Sequence, residues 1–174
     1  MSPDGRFRVC FVCSGNICRS PMAEVVLRAL VQQRGLEDVV LVDSAGTGDW
    51  HIGERADRRA LRSLTGGGYD GSAHRARQFD PQWFDERDLV IALDRGHART
   101  LRAWASDEDA RAKVHLLREF DPALASEPEA ALLDVPDPYY DGDAAFDGVL
   151  SMVVASCQGL LDRIEADLDA QAAG

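Results

Sequence analysis

The amino-acid sequence predicts an α/β fold in which one domain, residues 1–174, contains a four-stranded parallel sheet with helices on both faces. Four short apolar runs alternate with longer segments of helical periodicity, an order typical of parallel sheets. A chain of 174 residues can bury one sizeable core, and no repeat, low-complexity tract or obvious linker divides it. In such sheets ligands bind at the carboxyl ends of the strands.

The four predicted strands are short runs rich in apolar and β-branched residues. They are residues 7–12 (FRVCFV), 39–42 (VVLV), 89–93 (LVIAL) and 114–117. The predicted helices are residues 21–33, with Pro21 at an early helical position and Gly35 at the end, 58–64, 98–105 and 144 to about 170. Residues 121–142 carry four prolines and are predicted to form a long loop.

Composition and charge exclude several classes of protein. The net charge of -11 argues against non-specific nucleic-acid binding, which needs a basic surface. The apolar runs are shorter than the roughly 18 residues of a membrane span, and the first ten residues have no apolar signal core. We therefore expect a cytoplasmic protein with no membrane or nucleic-acid partner. An anionic substrate would need a local positive site in this acidic chain.

Cysteine and histidine placement gives little support for a metal or a disulfide framework. Four cysteines occur, at positions 10, 13, 18 and 157, and only one cluster exists, whereas a zinc site needs two sets of ligands at short spacing. The four histidines are scattered. The sequence therefore predicts no metal and no cofactor.

The segment CSGNICR, residues 13–19, follows the first strand and leads into the first helix. The loop is predicted to bind a phosphate or another tetrahedral oxyanion. Small residues at Ser14 and Gly15 let backbone amides approach closely, and Gly15 and Asn16 tolerate left-handed backbone angles, so that successive amides can turn inward. The helix N-terminus adds positive partial charge, and Arg19 adds a planar fork of donors. Both would favour a thiolate at Cys13, which could then attack a bound phosphate.

The alternative is that Cys13 and Cys18 are small buried residues at a turn, as free cysteines commonly are. The coincidence of spacing, glycine, arginine and strand-to-helix context favours the anion site.

Four segments resemble the low-molecular-weight protein tyrosine phosphatase family. They are CSGNICRSP (13–21), VDSAGTGDWHIGE (42–54), SAHRARQF (72–79) and DPYYDGDAAF (137–146), in the family's order along nearly the whole chain. The resemblance implies a four-stranded parallel sheet, hydrolysis of phosphotyrosine through a cysteinyl-phosphate intermediate, and phosphotyrosine-containing proteins as partners. It implies phosphate binding by Ser14, Gly15, Asn16, Ile17, Cys18, Arg19 and Ser20.

A general acid is needed to protonate the leaving group. Asp-Pro occurs at Asp80, Asp121 and Asp137, and the first two are interpreted as turns. Tyr139 and Tyr140 follow Asp137 and could form one wall for a phenyl ring, with Trp50 opposite, although a tyrosine pair alone also suits loop packing. The resemblance assigns Asp137 as general acid and both tyrosines to the substrate cleft. Asp141 stands where the family often has glycine, so the sequence leaves the loop's shape and substrate preference open.

The resemblance also assigns supporting roles. It implies that Ser20 donates a hydrogen bond to the Cys13 thiolate, and that Asn16, Ser44 and His74 form a network that holds the loop. It pairs Cys18 with Cys13 as a disulfide under oxidation. Taken alone, His74 would be an ordinary histidine.

Two competing functions remain. An arsenate reductase of the same fold shares the Cys-x5-Arg loop but needs further cysteines as a relay, and none lies between Cys18 and Cys157. A silent phosphate-binding module would lack the nucleophile or the acid, and both are present. The sequence does not exclude small aryl phosphates or phosphoarginine as substrates.

Overall fold

The computed structural model describes residues 2–124, 126 and 128–174. Met1, and Ala125 and Glu127 in the predicted loop, lie outside the described residues. The strands are β1 (Phe7–Cys13), β2 (Val40–Gly46), β3 (Leu89–Ala92) and β4 (Val114–Leu116), in one sheet of order β2-β1-β3-β4. Every pairing is parallel, which confirms the predicted sheet.

Five α-helices lie around the sheet in the part of the chain that the structure describes. They are α1 (Arg19–Gln33), α2 (Arg58–Gly66), α3 (Arg95–Trp104), α4 (Glu108–Ala112) and α5 (Asp143–Ala173). Short 3-10 helices occur at Pro81–Asp85, Leu117–Phe120 and Ala130–Leu133. The sequence missed α4 and the 3-10 helices because segments of one or two turns show no clear periodicity.

The core has two halves because side chains alternate across the sheet. Phe7, Val9 and Phe11 of β1 face a cluster that includes residues of α1, α2 and α5. Cys10 and Val12 face a second cluster with residues of α3 and α4. The prediction of helices on both faces is therefore confirmed.

Several predicted boundaries were wrong at positions that matter for the site. β2 runs to Gly46, beyond the predicted 39–42, because its pairing with β1 continues through polar residues, and Cys13 pairs with Gly46. Helix α3 starts at Arg95, not 98, because the Asp94 side chain accepts the His97 amide. The other strand ends that differ from the predicted ones do so by one residue. Helix α1 starts at Arg19, two residues before the predicted start at residue 21.

Helix α5 is long and apolar, with a mean hydropathy of 1.5 over an 18-residue window, which by length and composition would allow it to cross a membrane. The prediction overlooked this because small and polar residues interrupt its apolar runs. Its buried residues, including Phe146, Val153 and Leu160, belong to the core cluster under the sheet. A methyl group on Gly159 would overlap the Phe120 carbonyl oxygen, so α5 packs closely against the 3-10 helix Leu117–Phe120. These contacts are those of a core helix.

Candidate active site

The loop of residues 14–18 lies at the carboxyl edge of the sheet. Cys13 is the last residue of β1, and Arg19 is the first residue of α1. Among the described residues, no hydrogen bond uses the amide N–H groups of residues 14–18 as donors, and no side chain caps α1. These amides and the helix N-terminus therefore form a set of free donors suited to an oxyanion.

The loop's backbone differs from the prediction at one residue. Asn16 has a left-handed φ of 58°, but Gly15 does not have a positive φ. A Cβ at Gly15 would lie 2.8 Å from Cδ2 of His51, so a larger residue there would require the partly exposed His51 ring to move. A Cβ on Gly46 would lie 2.5 Å from the Ser14 carbonyl oxygen, so β2 also approaches the loop without a side chain.

Asn16 is hydrogen-bonded through every polar group except its amide N–H. Its Nδ2 donates to Ser20 Oγ (2.8 Å) and to Ser44 Oγ (2.9 Å), and its Oδ1 accepts the Arg77 amide at 3.0 Å. The carbonyl oxygen accepts a bond from His74 Nε2 at 2.7 Å. Burial lowers the pKa of His74, so the ring is neutral at pH 7. These contacts hold the left-handed residue in place.

Two further supporting residues escaped the sequence analysis. Ser44 Oγ donates to Glu24 Oε1 at 2.9 Å, and Glu24 also pairs with Arg28 at 3.0 Å. The Arg77 side chain donates to the Ser44 carbonyl at 3.2 Å and pairs with Asp43. Arg77 lies in the resembling segment SAHRARQF, from which no role was predicted for it, and nothing in the local sequence distinguishes Glu24 from a solvated charge.

Cys13 lies at the floor of the loop beside Ser20, with 2.8 Å between Sγ and Oγ. Ser20 Oγ accepts from Asn16, and its own proton has two acceptors within reach, the Cys13 sulfur at 2.8 Å and the Ala45 carbonyl oxygen at 3.3 Å, of which the sulfur is the nearer. The geometry therefore suits stabilisation of a thiolate.

Arg19 is 4% exposed and fixed from one side. Its Nη1 donates to Asp94 Oδ2 at 2.8 Å and to the Val135 carbonyl at 2.9 Å, while Nη2 is 3.7 Å from Asp137 Oδ2. Burial opposes ionisation of Asp94, but the His97 amide and Arg19 lower its pKa. The side-chain hydrogen bonds of Arg19 to described residues all use Nη1, which leaves its other N–H groups for an anion.

The loop opens into a cavity of about 250 Å³. It is lined by Cys13, Ser14, Gly15, Ile17, Cys18, Arg19, Trp50, His51, Asp137, Tyr139 and Tyr140. Trp50 is 69% exposed and Tyr140 is 91% exposed, and the Tyr140 ring meets that of Tyr139 edge-on with centroids 5.0 Å apart. The cleft thus has an anion-binding floor and aromatic walls. The sequence predicts no role for His51, which lines this cavity.

The segment that carries Asp137 has a defined shape despite the additional Asp141. Asp137 is half-exposed, and its Oδ1 accepts the Tyr139 amide at 3.1 Å. Arg59 donates to the Asp141 carbonyl at 3.0 Å, and its guanidinium carbon lies 5.5 Å from the centroid of the Tyr139 ring. Asp57 anchors that guanidinium at 3.0 Å. Residue 141 is therefore accommodated by a backbone contact to Arg59.

The other cysteines are buried free thiols. Cys18 lines the cavity with Cys13, and burial raises its pKa, reinforced by Asp57. Cys157 lies in the core against the Ala23 carbonyl, and Cys10 is buried in the opposite half of the core. Within the described residues, no group of three or more histidine, cysteine, aspartate or glutamate side chains could hold a metal.

The arrangement can bind a tetrahedral dianion, attack its central atom with sulfur and protonate the departing oxygen. Comparisons with known proteins agree with this chemistry. The family model of the low molecular weight phosphotyrosine protein phosphatases matches residues 8–171. The chain is 53% identical to a low molecular weight protein-tyrosine-phosphatase of Streptomyces coelicolor, over 96% of this chain and 99% of that protein.

Two other comparisons extend the likeness. The chain is 44% identical to low molecular weight protein-tyrosine phosphatase A of Mycobacterium tuberculosis, over 92% of this chain and 93% of that protein. The crystal structure of YfkJ from Bacillus subtilis matches with a TM-score of 0.83 and 35% identity, covering 93% of this chain and 96% of that one.

Proposed function

Because the chain belongs to the low molecular weight phosphotyrosine protein phosphatase family, we propose that it hydrolyses phosphotyrosine in proteins through a cysteinyl-phosphate intermediate. The enzyme is a phosphatase by family membership, and the residue roles are our proposal. The observation that carries the proposal is the position of Cys13 at the floor of the cavity, beneath the amide N–H groups of residues 14–18, which donate no hydrogen bond to any described residue.

The proposed reaction has two steps. The Cys13 thiolate attacks phosphorus, the bond from phosphorus to the tyrosine oxygen breaks, and the Asp137 carboxyl gives its proton to that oxygen. A water then attacks the phosphorus of the cysteinyl phosphate and gives a proton to the Asp137 carboxylate, and the bond from phosphorus to sulfur breaks, which releases inorganic phosphate and restores the Cys13 thiolate. The free amides of residues 14–18 and Arg19 stabilise the equatorial oxygens of the phosphoryl group throughout.

The cleft supports an aryl substrate. Trp50, Tyr139 and Tyr140 are exposed aromatic side chains beside the anion-binding floor, where a phenyl ring could pack. A protein-borne phosphotyrosine would reach the floor because the ring separates phosphate from backbone. Small aryl phosphates fit the same cleft.

Arsenate reduction is not favoured. The comparisons name tyrosine phosphatases, and a disulfide relay would need cysteines that the sequence lacks between Cys18 and Cys157.

We further propose cytoplasmic location and redox sensitivity. The four cysteines are all free thiols, as is usual in a reducing compartment. A thiolate at Cys13 would be open to oxidants through the cavity, and Cys18 is the adjacent thiol that could capture the oxidised form.

The function is tested with p-nitrophenyl phosphate and a phosphotyrosyl peptide in excess EDTA. We expect the wild type to hydrolyse both, and Cys13→Ser to lose turnover while still binding phosphate in calorimetry. Turnover in Cys13→Ser above a few per cent of wild type would show that another residue attacks. Activity that disappears in EDTA and returns with a divalent cation would contradict the metal-free mechanism.

A further inference from the structure

Ser14 and His97 make a contact that the proposed reaction does not use. Ser14 Oγ lies 2.9 Å from His97 Nε2, and Ser14 lines the cavity. Among the described residues, this is the hydroxyl group's sole hydrogen bond. His97 is 5% exposed and belongs to α3, far along the chain.

The other ring nitrogen of His97 fixes which nitrogen carries the proton. Nδ1 lies 3.2 Å from the Asp94 amide nitrogen, and that N–H donates to it as the second half of a capping box. Burial, followed by Arg19, lowers the pKa of His97 to about 4, so the ring is neutral at pH 7 and carries one proton. With Nδ1 accepting, that proton is on Nε2 and is donated to Ser14 Oγ.

The opposite tautomer is disfavoured by the same partners. Asp94 Oδ1 lies 3.2 Å from Nδ1 and accepts the His97 amide at 3.0 Å, so it could also accept a proton on Nδ1, but the Asp94 N–H has no acceptor other than Nδ1 among the described residues. A proton on Nδ1 would leave the Asp94 amide without its acceptor, which costs free energy in a partly buried position.

We propose that His97 is a positioning residue that makes Ser14 Oγ an acceptor and so directs the Ser14 hydroxyl proton to the oxyanion in the cavity. Ser14 thereby adds a side-chain donor to the loop amides and Arg19. The proposal rests on the proposed function for the identity of the anion, and the ligand class is a phosphate or phosphate ester.

Two substitutions separate the two nitrogens. In His97→Asn, the amide oxygen can replace Nδ1 as the acceptor for Asp94, but no donor reaches Ser14. In His97→Gln, the amide nitrogen can replace Nε2 as the donor to Ser14, but the acceptor for Asp94 is lost. Ser14→Ala removes the hydroxyl, and His115→Gln, on the outer strand, is the control.

Phosphate affinity is measured by titration calorimetry, which does not require turnover. We expect His97→Asn and Ser14→Ala each to weaken phosphate binding about tenfold, the double variant to be no weaker, and His97→Gln to stay within about twofold of wild type. Nitrogen chemical shifts of the wild type should show His97 protonated on Nε2.

Three results would overturn the proposal: wild-type affinity in His97→Asn, equal losses in the Asn and Gln variants, or a proton on Nδ1. A wild type that binds phosphate in this way but hydrolyses no phosphotyrosyl substrate would instead refute the proposed function alone.

Discussion

Asp94 Oδ2 accepts a hydrogen bond from Arg19 Nη1 at 2.8 Å, and the other oxygen of the same carboxylate accepts the His97 amide at 3.0 Å. One side chain therefore both caps α3 and anchors the arginine of the anion site. With the Val135 carbonyl on the same nitrogen, the plane of the guanidinium is set before an anion arrives.

Removing this anchor should impair catalysis. We expect Asp94→Ala to lower kcat/KM for p-nitrophenyl phosphate by about 10²-fold, because a small displacement of Arg19 misplaces the transferring group. Asp94→Asn, which keeps a cap and an acceptor, should lose less. The control is Asp134→Ala, which removes an exposed ion pair with Arg95 on the same helix. Equal losses in the Asp94 and Asp134 variants would show that damage to α3, and not the anchor, is responsible.

Asp137 should act as the acid in a way that depends on the leaving group. We expect Asp137→Ala to lower kcat by roughly 10²–10⁴-fold for aryl phosphates with poor leaving groups and far less for those whose leaving group needs no proton. Asp80→Ala is the matched control, since Asp80 is an exposed residue that caps the 3-10 helix Pro81–Asp85, away from the cavity. Asp121, interpreted from sequence as a simple turn, is buried beside Arg118. It is unsuitable as a control because its substitution would destabilise the fold and so lower activity indirectly. A loss in Asp137→Ala that is the same for all leaving groups would contradict the role.

Peroxide should inactivate the enzyme reversibly. The Cys13 thiolate would be oxidised to sulfenic acid with release of hydroxide, and the Cys18 thiol would displace water to form a disulfide. We expect dithiothreitol to restore activity, mass spectrometry to show a Cys13–Cys18 link, and bound phosphate to slow the loss.

Cys18→Ser should still be inactivated but recover poorly, whereas Cys157→Ser, at another buried thiol, should recover as the wild type does. Because burial raises the pKa of Cys18, the disulfide should form faster as pH rises. Full recovery of Cys18→Ser would mean that Cys18 only packs beneath the loop.

Stability should fall as the pH drops from about 6.5 to about 4. The pKa of His97 is about 4 in the folded protein and returns to about 6.5 on unfolding, so the unfolded chain binds an additional proton in this window. The loss from His97 is on the order of 3 kcal/mol at most, and burial of His74 acts in the same direction. The free energy of unfolding, measured with urea at several pH values in this range, should fall less steeply with decreasing pH in His97→Gln than in the wild type or in His115→Gln. The same pH dependence in all three proteins would contradict a lowered pKa of His97 in the folded protein.

Local sequence was sufficient for the fold class and for the centre of the site. The alternation of apolar runs and helical segments predicted the parallel sheet, and CSGNICR predicted an anion loop between β1 and α1, because hydrophobic period, glycine and helix-start signals are local properties. The four resembling segments pointed to the family for the same reason: each is a contiguous motif.

Only the tertiary structure decided which distant polar residues complete the loop. Glu24, Asp94 and His97 are common charged or polar residues with no local signal, and Arg77 lies in a resembling segment that gave it no role. Asp94 and His97 reach the loop because they follow β3 at the edge of the sheet where the loop lies, while helix α1 brings Glu24 to Ser44. Sequence therefore determined the chemistry that the loop offers, while packing between elements determined how that chemistry is held and oriented.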